Sequence, residues 1–174
     1  MPAGLQRLYG QNHLHFITFS CYRRMPLLKS ARARDVFVQE LARLRARTGF
    51  QLIGYVVMPE HVHLLVSEPP RGTPSDVVRD LKLRTARRLR RRGRKITGQR
   101  ELPFGEPSEP RGGLWQARFY DFNVYTDRKK REKLEYMPAN PITRGLVTHP
   151  KDWPWSSWSK YARRGEGLIP VDLL

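Results

Sequence analysis

The feature that most constrains the fold is a long apolar run interrupted by a proline, FQLIGYVVMPEHVHLLVSEP, at residues 50–69. β-Branched and aromatic residues favour strands, and proline cannot donate a hydrogen bond within a central ladder. The run therefore predicts two strands joined at Met58-Pro59-Glu60. The second of these strands carries two histidines, His61 and His63, one residue apart.

A strand and a helix precede this pair of strands. The alternating pattern of HLHFITFSCY predicts a strand within residues 13–22. Apolar residues at helical spacing then predict a helix over residues 30–49, with Ser30 as its N-cap and Gly49 as its end.

A helix and a strand are also predicted after the pair of strands. Thr73-Pro74-Ser75 begins a helix that is expected to end at Gly93, and LWQARFYDFNVY predicts a strand at residues 114–125. The resulting order, βαββαβ, predicts an α+β protein with a ferredoxin-like antiparallel sheet. A further C-terminal helix is predicted to start near Thr126.

The length of 174 residues suits one domain over residues 1–174. Within it, residues 93–113 are rich in Gly, Pro and charge and predict a flexible loop, and residues 150–174 form a Trp-rich tail. Cys21 is the single cysteine, so neither an internal disulfide nor a cysteine zinc site is possible. With no apolar run that could span a membrane, a cytoplasmic protein is expected.

The charge balance indicates a polyanionic partner. Lys and Arg total 33 against 16 Asp and Glu, a formal net charge of +17, which favours nucleic acid. The basic run RTARRLRRRGRK, residues 84–95, is the strongest candidate for phosphate contacts, although such runs are also found as solvated helix faces. Trp158 could stack on bases. The arginines predicted to bind DNA are Arg84, Arg87, Arg88, Arg91 and Arg92.

The two histidines of the apolar run are candidates for metal binding. Residues two apart in a strand share a face, so His61 and His63 can chelate one divalent ion. An arbitrary pair of this spacing is more often a pair of half-buried strand residues. His13 and His15 repeat the spacing in the first predicted strand, so spacing alone does not decide between the pairs.

Three separated motifs carry a resemblance to a known family. MPEHVHLLV, RFYDFNV and EKLEYMPANPITRGLVTHPKDWPWSSW resemble the REP-associated tyrosine transposases, members of the HUH single-tyrosine transposase superfamily. The resemblance implies Tyr136 as a nucleophile, with His61, His63 and Asn140 holding Mg²⁺ or Mn²⁺. It also implies a metal-dependent single-stranded DNA endonuclease and strand transferase that acts at REP-type hairpins through a 5′-phosphotyrosine.

Further expectations follow from the same resemblance. The partner is single-stranded or hairpin DNA, no organic cofactor is involved, and the protein is a monomer or a homodimer. Separately from the resemblance, no membrane partner is expected, because the most basic segment has few bulky apolar residues. The spacing itself agrees with the assigned roles, because Tyr136 and Asn140 at i and i+4 share one face of a helix.

Several alternatives remain open in the sequence. Tyr120 is a competing nucleophile, and Glu60 either orients an imidazole or is a turn carboxylate that faces water. Pro138 falls between Tyr136 and Asn140, where it is predicted to kink or end the helix. A catalytically inactive DNA- or RNA-binding relative and a metal phosphohydrolase that uses water are therefore the competing functions.

Overall fold

The computed structural model describes residues 8–97 and 113–173, with side chains omitted for residues 92–97. Its strands are β1 (Leu14–Ser20), β2 (Leu52–Val57), β3 (His61–Val66) and β4 (Tyr120–Val124). Its helices are α1 (Ala31–Thr48), α2 (Pro74–Thr97), α3 (Asp127–Thr143) and the short α4 (Trp158–Tyr161). The strands form one sheet in the order β2-β3-β1-β4 with every neighbouring pair antiparallel, which confirms the predicted ferredoxin-like topology.

The ends of α1 lie where the sequence predicts them. Ser30 accepts a hydrogen bond from the backbone N–H of Ala33 at 3.1 Å, and Gly49 has a positive φ of 73° at the C-cap. A left-handed residue at this position suits glycine, because it has no β-carbon to clash.

Two predicted boundaries are wrong. Helix α2 continues past Gly93 to Thr97, since one glycine inside a helix costs only about 1 kcal/mol. Strand β4 is shorter than residues 114–125, because Trp115 leaves the line of β4 and forms an isolated bridge with Cys21. The rest of the predicted loop, residues 98–112, lies outside the described residues.

The two faces of the sheet are covered by different helices. Residues Ile17 and Phe19 of β1 belong to the larger apolar cluster, which includes residues of α1 and α2. Phe16 of β1 and Leu65 of β3 belong to the second cluster, together with Met137 of α3. One face is therefore packed by α1 and α2 and the opposite face by α3.

The Trp-rich tail covers the outer edge of β2. The backbone N–H of Val57 donates to the carbonyl of Trp155 at 2.9 Å, and Ser157 donates to the carbonyl of Tyr55 at 3.0 Å. The indole of Trp153 donates to the carbonyl of Val57 at 3.1 Å. The tail thus satisfies the free backbone groups of an edge strand.

None of the helices within the described residues is both long enough and apolar enough to cross a membrane.

Candidate active site

The two histidines of β3 face the side of the sheet that α3 covers. Their Nε2 atoms lie 3.0 Å apart, and both imidazoles line a cavity of about 380 Å³. Val62 and Leu64 point into the opposite apolar cluster, as the alternation of a strand requires. The predicted orientation of His61 and His63 on one face is therefore observed.

Each imidazole has a partner at its other nitrogen. His63 Nδ1 lies 2.7 Å from the Thr18 hydroxyl, and His61 Nδ1 lies 3.1 Å from a carboxylate oxygen of Glu60. When the two Nδ1 atoms carry the protons, both Nε2 lone pairs face the cavity. This is how partners of metal-binding histidines commonly set the tautomer.

Both imidazoles favour the neutral form. Burial lowers the pKa of His63 to about 3, with a smaller lowering from the charge of His61, while a hydrogen bond with the Asn140 side chain opposes the shift. Burial also lowers the pKa of His61, against the raising effect of Glu60. Neutral imidazoles are the form that binds metal ions.

Helix α3 brings Tyr136 and Asn140 to the same cavity. The ring of Tyr136 makes an edge contact with the His63 ring at 5.3 Å between centroids, and 47% of the tyrosine is exposed. Asn140 is 9% exposed, and its Nδ2 donates to the carbonyl of Tyr136 at 2.8 Å. Its Oδ1 is therefore the atom left available toward His63.

Of the two effects predicted for Pro138, a kink or the end of the helix, the end of the helix does not occur. Helix α3 includes both Pro138 and Pro141 and continues to Thr143. Each proline removes one helical hydrogen bond. Contacts outside the local pattern stabilise the segment, since Met137 is fully buried against the sheet and the Asn140 side chain bonds to the preceding turn.

Gly54 allows this close packing. A β-carbon at Gly54 of β2 would lie 2.5 Å from Met137 Cε and 2.9 Å from Leu134 Cδ2. Such distances are far shorter than van der Waals contact, so a larger residue would require the ends of the Met137 and Leu134 side chains to move. The sequence gives no signal for this role, because Gly54 reads only as a glycine within a strand.

The donor atoms fit a divalent ion. Within the described ranges, no three His, Cys, Asp or Glu side chains form a metal-binding group. The amide oxygen of Asn140 is a third donor that could complete a site with the two imidazoles. Nitrogen and neutral oxygen donors of this kind accept several divalent metals, so the ligands alone do not select one ion.

The alternative nucleophile is less well placed. Tyr120 lies on β4 opposite Thr18 of β1 and on the α3 face, where its ring stacks on Phe122 at 6.5 Å. It is not among the residues that line the cavity, whereas Tyr136 is.

Of the other histidine pair, His15 lies on the opposite face of the sheet and His13 immediately precedes β1. His15 is fully buried, and its Nδ1 lies 2.8 Å from a carboxylate oxygen of Asp121. His13 packs its ring against Tyr125 at 5.5 Å. Neither residue lines the cavity.

The arginines in the basic run of α2 differ in how far they are exposed and in what they contact. Arg88 binds the buried carboxylate of Glu40 at 2.7 Å and the Gln39 side chain at 2.5 Å, so its guanidinium joins α2 to α1. The prediction that Arg88 contacts DNA conflicts with this arrangement. Arg87 and Arg91 are exposed and Arg84 is half-buried, while the side chain of Arg92 lies outside the described residues.

Trp158 is half-buried and makes an edge contact with the ring of His149 at 5.4 Å. Part of the surface of its ring is therefore already covered by His149.

Comparison with known families identifies the class of protein that this fold and site define. The model of the family described as "Transposase IS200 like" matches residues 9–136, which is more than half of the chain. The chain belongs to the IS200-like transposases.

Individual relatives of the chain have more specific names than the family model does. The REP-associated tyrosine transposase of Escherichia coli is 26% identical over 123 residues, covering 71% of this chain and 62% of the relative. A Haemophilus influenzae protein, provisionally given the same name, is 29% identical over 112 residues, covering 64% of this chain and 60% of the relative. The chain thus spans about three fifths of the length of these curated relatives.

A solved structure has a similar fold over nearly the whole chain. It is described as a REP-associated tyrosine transposase bound to a REP hairpin, and it matches with a TM-score of 0.69 at 22% sequence identity. The match covers 99% of this chain and 91% of that chain. These comparisons confirm the resemblance to REP-associated tyrosine transposases that the sequence motifs indicate.

Proposed function

We propose that the protein is a metal-dependent endonuclease and strand transferase for single-stranded DNA, which acts at REP-type hairpins. The observation that carries this proposal is the presence of Tyr136, His61, His63 and Asn140 around one cavity. A phenol, two neutral imidazoles and an amide oxygen are the groups that such a reaction needs. Membership of a transposase family supports the assignment.

Tyr136 is the proposed nucleophile. Its Oη attacks the phosphorus of a DNA phosphodiester, the bond from phosphorus to the 3′ oxygen breaks, and a 5′-phosphotyrosine remains. The phenol releases its proton to water, and the departing 3′ oxygen takes up a proton. Because the bond energy is retained in the adduct, another 3′-hydroxyl can reverse the step and join two strands.

His61, His63 and Asn140 are the proposed ligands of the metal, for which Mg²⁺ or Mn²⁺ is proposed. When bound, such an ion supplies Lewis-acid polarisation of the phosphate. Thr18 and Glu60 hold the two imidazoles in the tautomer that leaves both Nε2 lone pairs toward the cavity. Glu60 is thereby proposed to orient His61 rather than to bind the metal.

The exposed arginines of α2 are proposed to contact DNA phosphates. Arg87 and Arg91 carry this role best, with Arg84 beside them, because Arg88 is bonded to α1. A hairpin as the substrate is inferred from the structural relative, which is bound to a REP hairpin. Contacts of this kind give salt-dependent affinity with little sequence preference.

The test is a search for the covalent intermediate. The purified protein is incubated with Mn²⁺ and a single strand that carries a REP-type hairpin and a label on its 3′ side, and the products are separated on a denaturing gel. We expect a labelled protein adduct that Tyr136→Phe abolishes and that Tyr120→Phe retains. Tyr120→Phe is the matched control, because it removes one hydroxyl from the same face of the sheet.

The other outcomes distinguish the competing functions. Cleavage without an adduct would support a phosphohydrolase that uses water. Binding without cleavage, in Mg²⁺ or Mn²⁺, would support an inactive nucleic-acid-binding relative. Loss of the adduct in Tyr120→Phe alone would identify Tyr120 of β4 as the nucleophile.

A further inference from the structure

The turn that follows β1 has an uncommon backbone at the mouth of the cavity. Arg23 and Arg24 both have positive φ angles, 50° and 55°. This left-handed region is unfavourable for residues other than glycine, asparagine and aspartate. Two consecutive arginines in it require strong support from the surrounding structure.

Backbone hydrogen bonds supply that support on both sides. Cys21 donates to the carbonyl of Glu60 at 2.8 Å, and Tyr22 donates to the carbonyl of Leu114 at 3.0 Å. Leu28, just beyond the turn, donates to the carbonyl of Pro59 at 2.8 Å. The turn is therefore fixed to the Pro59-Glu60 segment that immediately precedes His61.

The two arginines of the turn point to different surroundings. Arg24 lines the cavity with the two histidines and Tyr136. Arg23 is not among the lining residues, and its guanidinium lies 5.2 Å from the centre of the Tyr22 ring. Adjacent residues of equal charge in the same backbone region thus differ in whether they face the cavity.

Arg24 also differs from Arg144, the other arginine of the cavity. Arg144 Nη2 lies 3.1 Å from a carboxylate oxygen of Glu60, so its charge is balanced within the protein. In the described part of the chain, the side chain of Arg24 makes no hydrogen bond or ion pair.

We propose that Arg24 binds a non-bridging oxygen of the phosphate that Tyr136 attacks, and that it stabilises the negative charge on this phosphate during the transfer. This inference rests on the proposed function. It assigns to the cavity a catalytic residue outside the three motifs that carry the family resemblance. A planar guanidinium is well suited to the role, because it can donate two parallel hydrogen bonds to one phosphate.

The test compares Arg24→Gln with Arg23→Gln, which removes the same charge from the adjacent position of the same turn. Adduct formation with the hairpin strand is measured in single turnovers with Mn²⁺. We expect Arg24→Gln to slow the step by roughly a hundredfold, as loss of one preorganised donor does elsewhere. Arg23→Gln should remain close to the wild-type rate, and Arg24→Lys should recover part of the loss.

A modified substrate separates contact with the phosphate from a structural effect. A methylphosphonate at the scissile position replaces one charged oxygen by a methyl group. On this strand the ratio of the wild-type rate to the Arg24→Gln rate should fall toward one. A methylphosphonate one nucleotide away should leave the ratio near a hundredfold.

The outcomes distinguish this inference from the function on which it rests. An adduct that forms equally fast in Arg24→Gln and Arg23→Gln would overturn the role of Arg24 and leave the nuclease intact. A rate ratio that does not change with the methylphosphonate would also overturn it. Absence of an adduct in the wild-type protein would overturn both.

Discussion

Two histidine pairs of identical spacing have opposite environments in this protein. His15 is on β1, where its alternation with Phe16 places it on the side covered by α1 and α2, and His13 immediately precedes the strand. His61 and His63 are on β3 and face the side covered by α3. His15 is bonded to a buried carboxylate, whereas His61 and His63 point their Nε2 atoms at each other beside a cavity.

The difference shows that the face of the sheet, rather than the spacing, distinguishes the pairs. Both pairs satisfy the rule that residues two apart share a face. Only one face receives a helix that carries a phenol and an amide at i and i+4. The environment of each pair therefore depends on which helix packs over it, and variants can test this contrast directly.

The largest expected effect is on catalysis. If the proposed metal site is correct, His63→Ala should slow adduct formation by about a thousandfold, which corresponds to roughly 4 kcal/mol, because the phosphate would lose its Lewis acid. His15→Ala should retain the wild-type rate below its melting temperature. Single-turnover rates with Mn²⁺ check both variants, and a comparable loss in His15→Ala would remove the contrast between the pairs.

The second effect is on metal-linked stability. An ion that binds only the folded state at a hundred times its dissociation constant adds about 2.7 kcal/mol to the free energy of unfolding. We expect Mn²⁺ to raise the melting temperature of the wild type and of His15→Ala by several degrees, and EDTA to reverse the change. His63→Ala should not respond to Mn²⁺, and an equal response in this variant would place the ion elsewhere.

The third effect is on the free energy of unfolding without metal, and here the larger loss is expected at His15. His15→Ala should lower the free energy of unfolding by about 2 kcal/mol, because the buried carboxylate of Asp121 loses its nearest hydrogen-bond partner. Urea denaturation in EDTA measures this change. In the double variant with Asp121→Asn the two losses should be less than additive, and full additivity would argue against the coupling.

The smallest effect concerns the partner of an imidazole. Thr18→Val removes the hydroxyl 2.7 Å from His63 Nδ1 while keeping the shape of the side chain. We expect metal affinity to fall by about tenfold, the lower end for such partners, because the hydroxyl is neutral. Titration with Mn²⁺ checks this value, and Thr18→Ser, which keeps the hydroxyl, should bind as the wild type does.

Much of the fold could be predicted from local patterns. The alternation of apolar residues, the cap at Ser30 and the glycine at Gly49 predicted the order of the elements and both ends of α1. The orientation of His61 and His63 followed from the period of a strand. These features depend on neighbouring residues alone, so one sequence is sufficient to reveal them.

The remaining features depend on contacts between distant segments. The continuation of α3 through Pro138 follows from packing of Met137 on the sheet, which the penalty for a proline does not include. The partner of Arg88 is Glu40 on another helix, and Thr18 meets His63 only through the register of β1 and β3. Sequence spacing carries none of this information.

The packing around Gly54 limits the substitutions that this position accepts. An added β-carbon would overlap the side-chain ends of Met137 and Leu134 on α3, the helix that also carries Tyr136. Even alanine, usually the mildest of replacements, would therefore require these two side chains to repack. A substitution at a position outside all of the motifs can thus alter how the helix beside the cavity is seated while leaving every group of the cavity chemically intact.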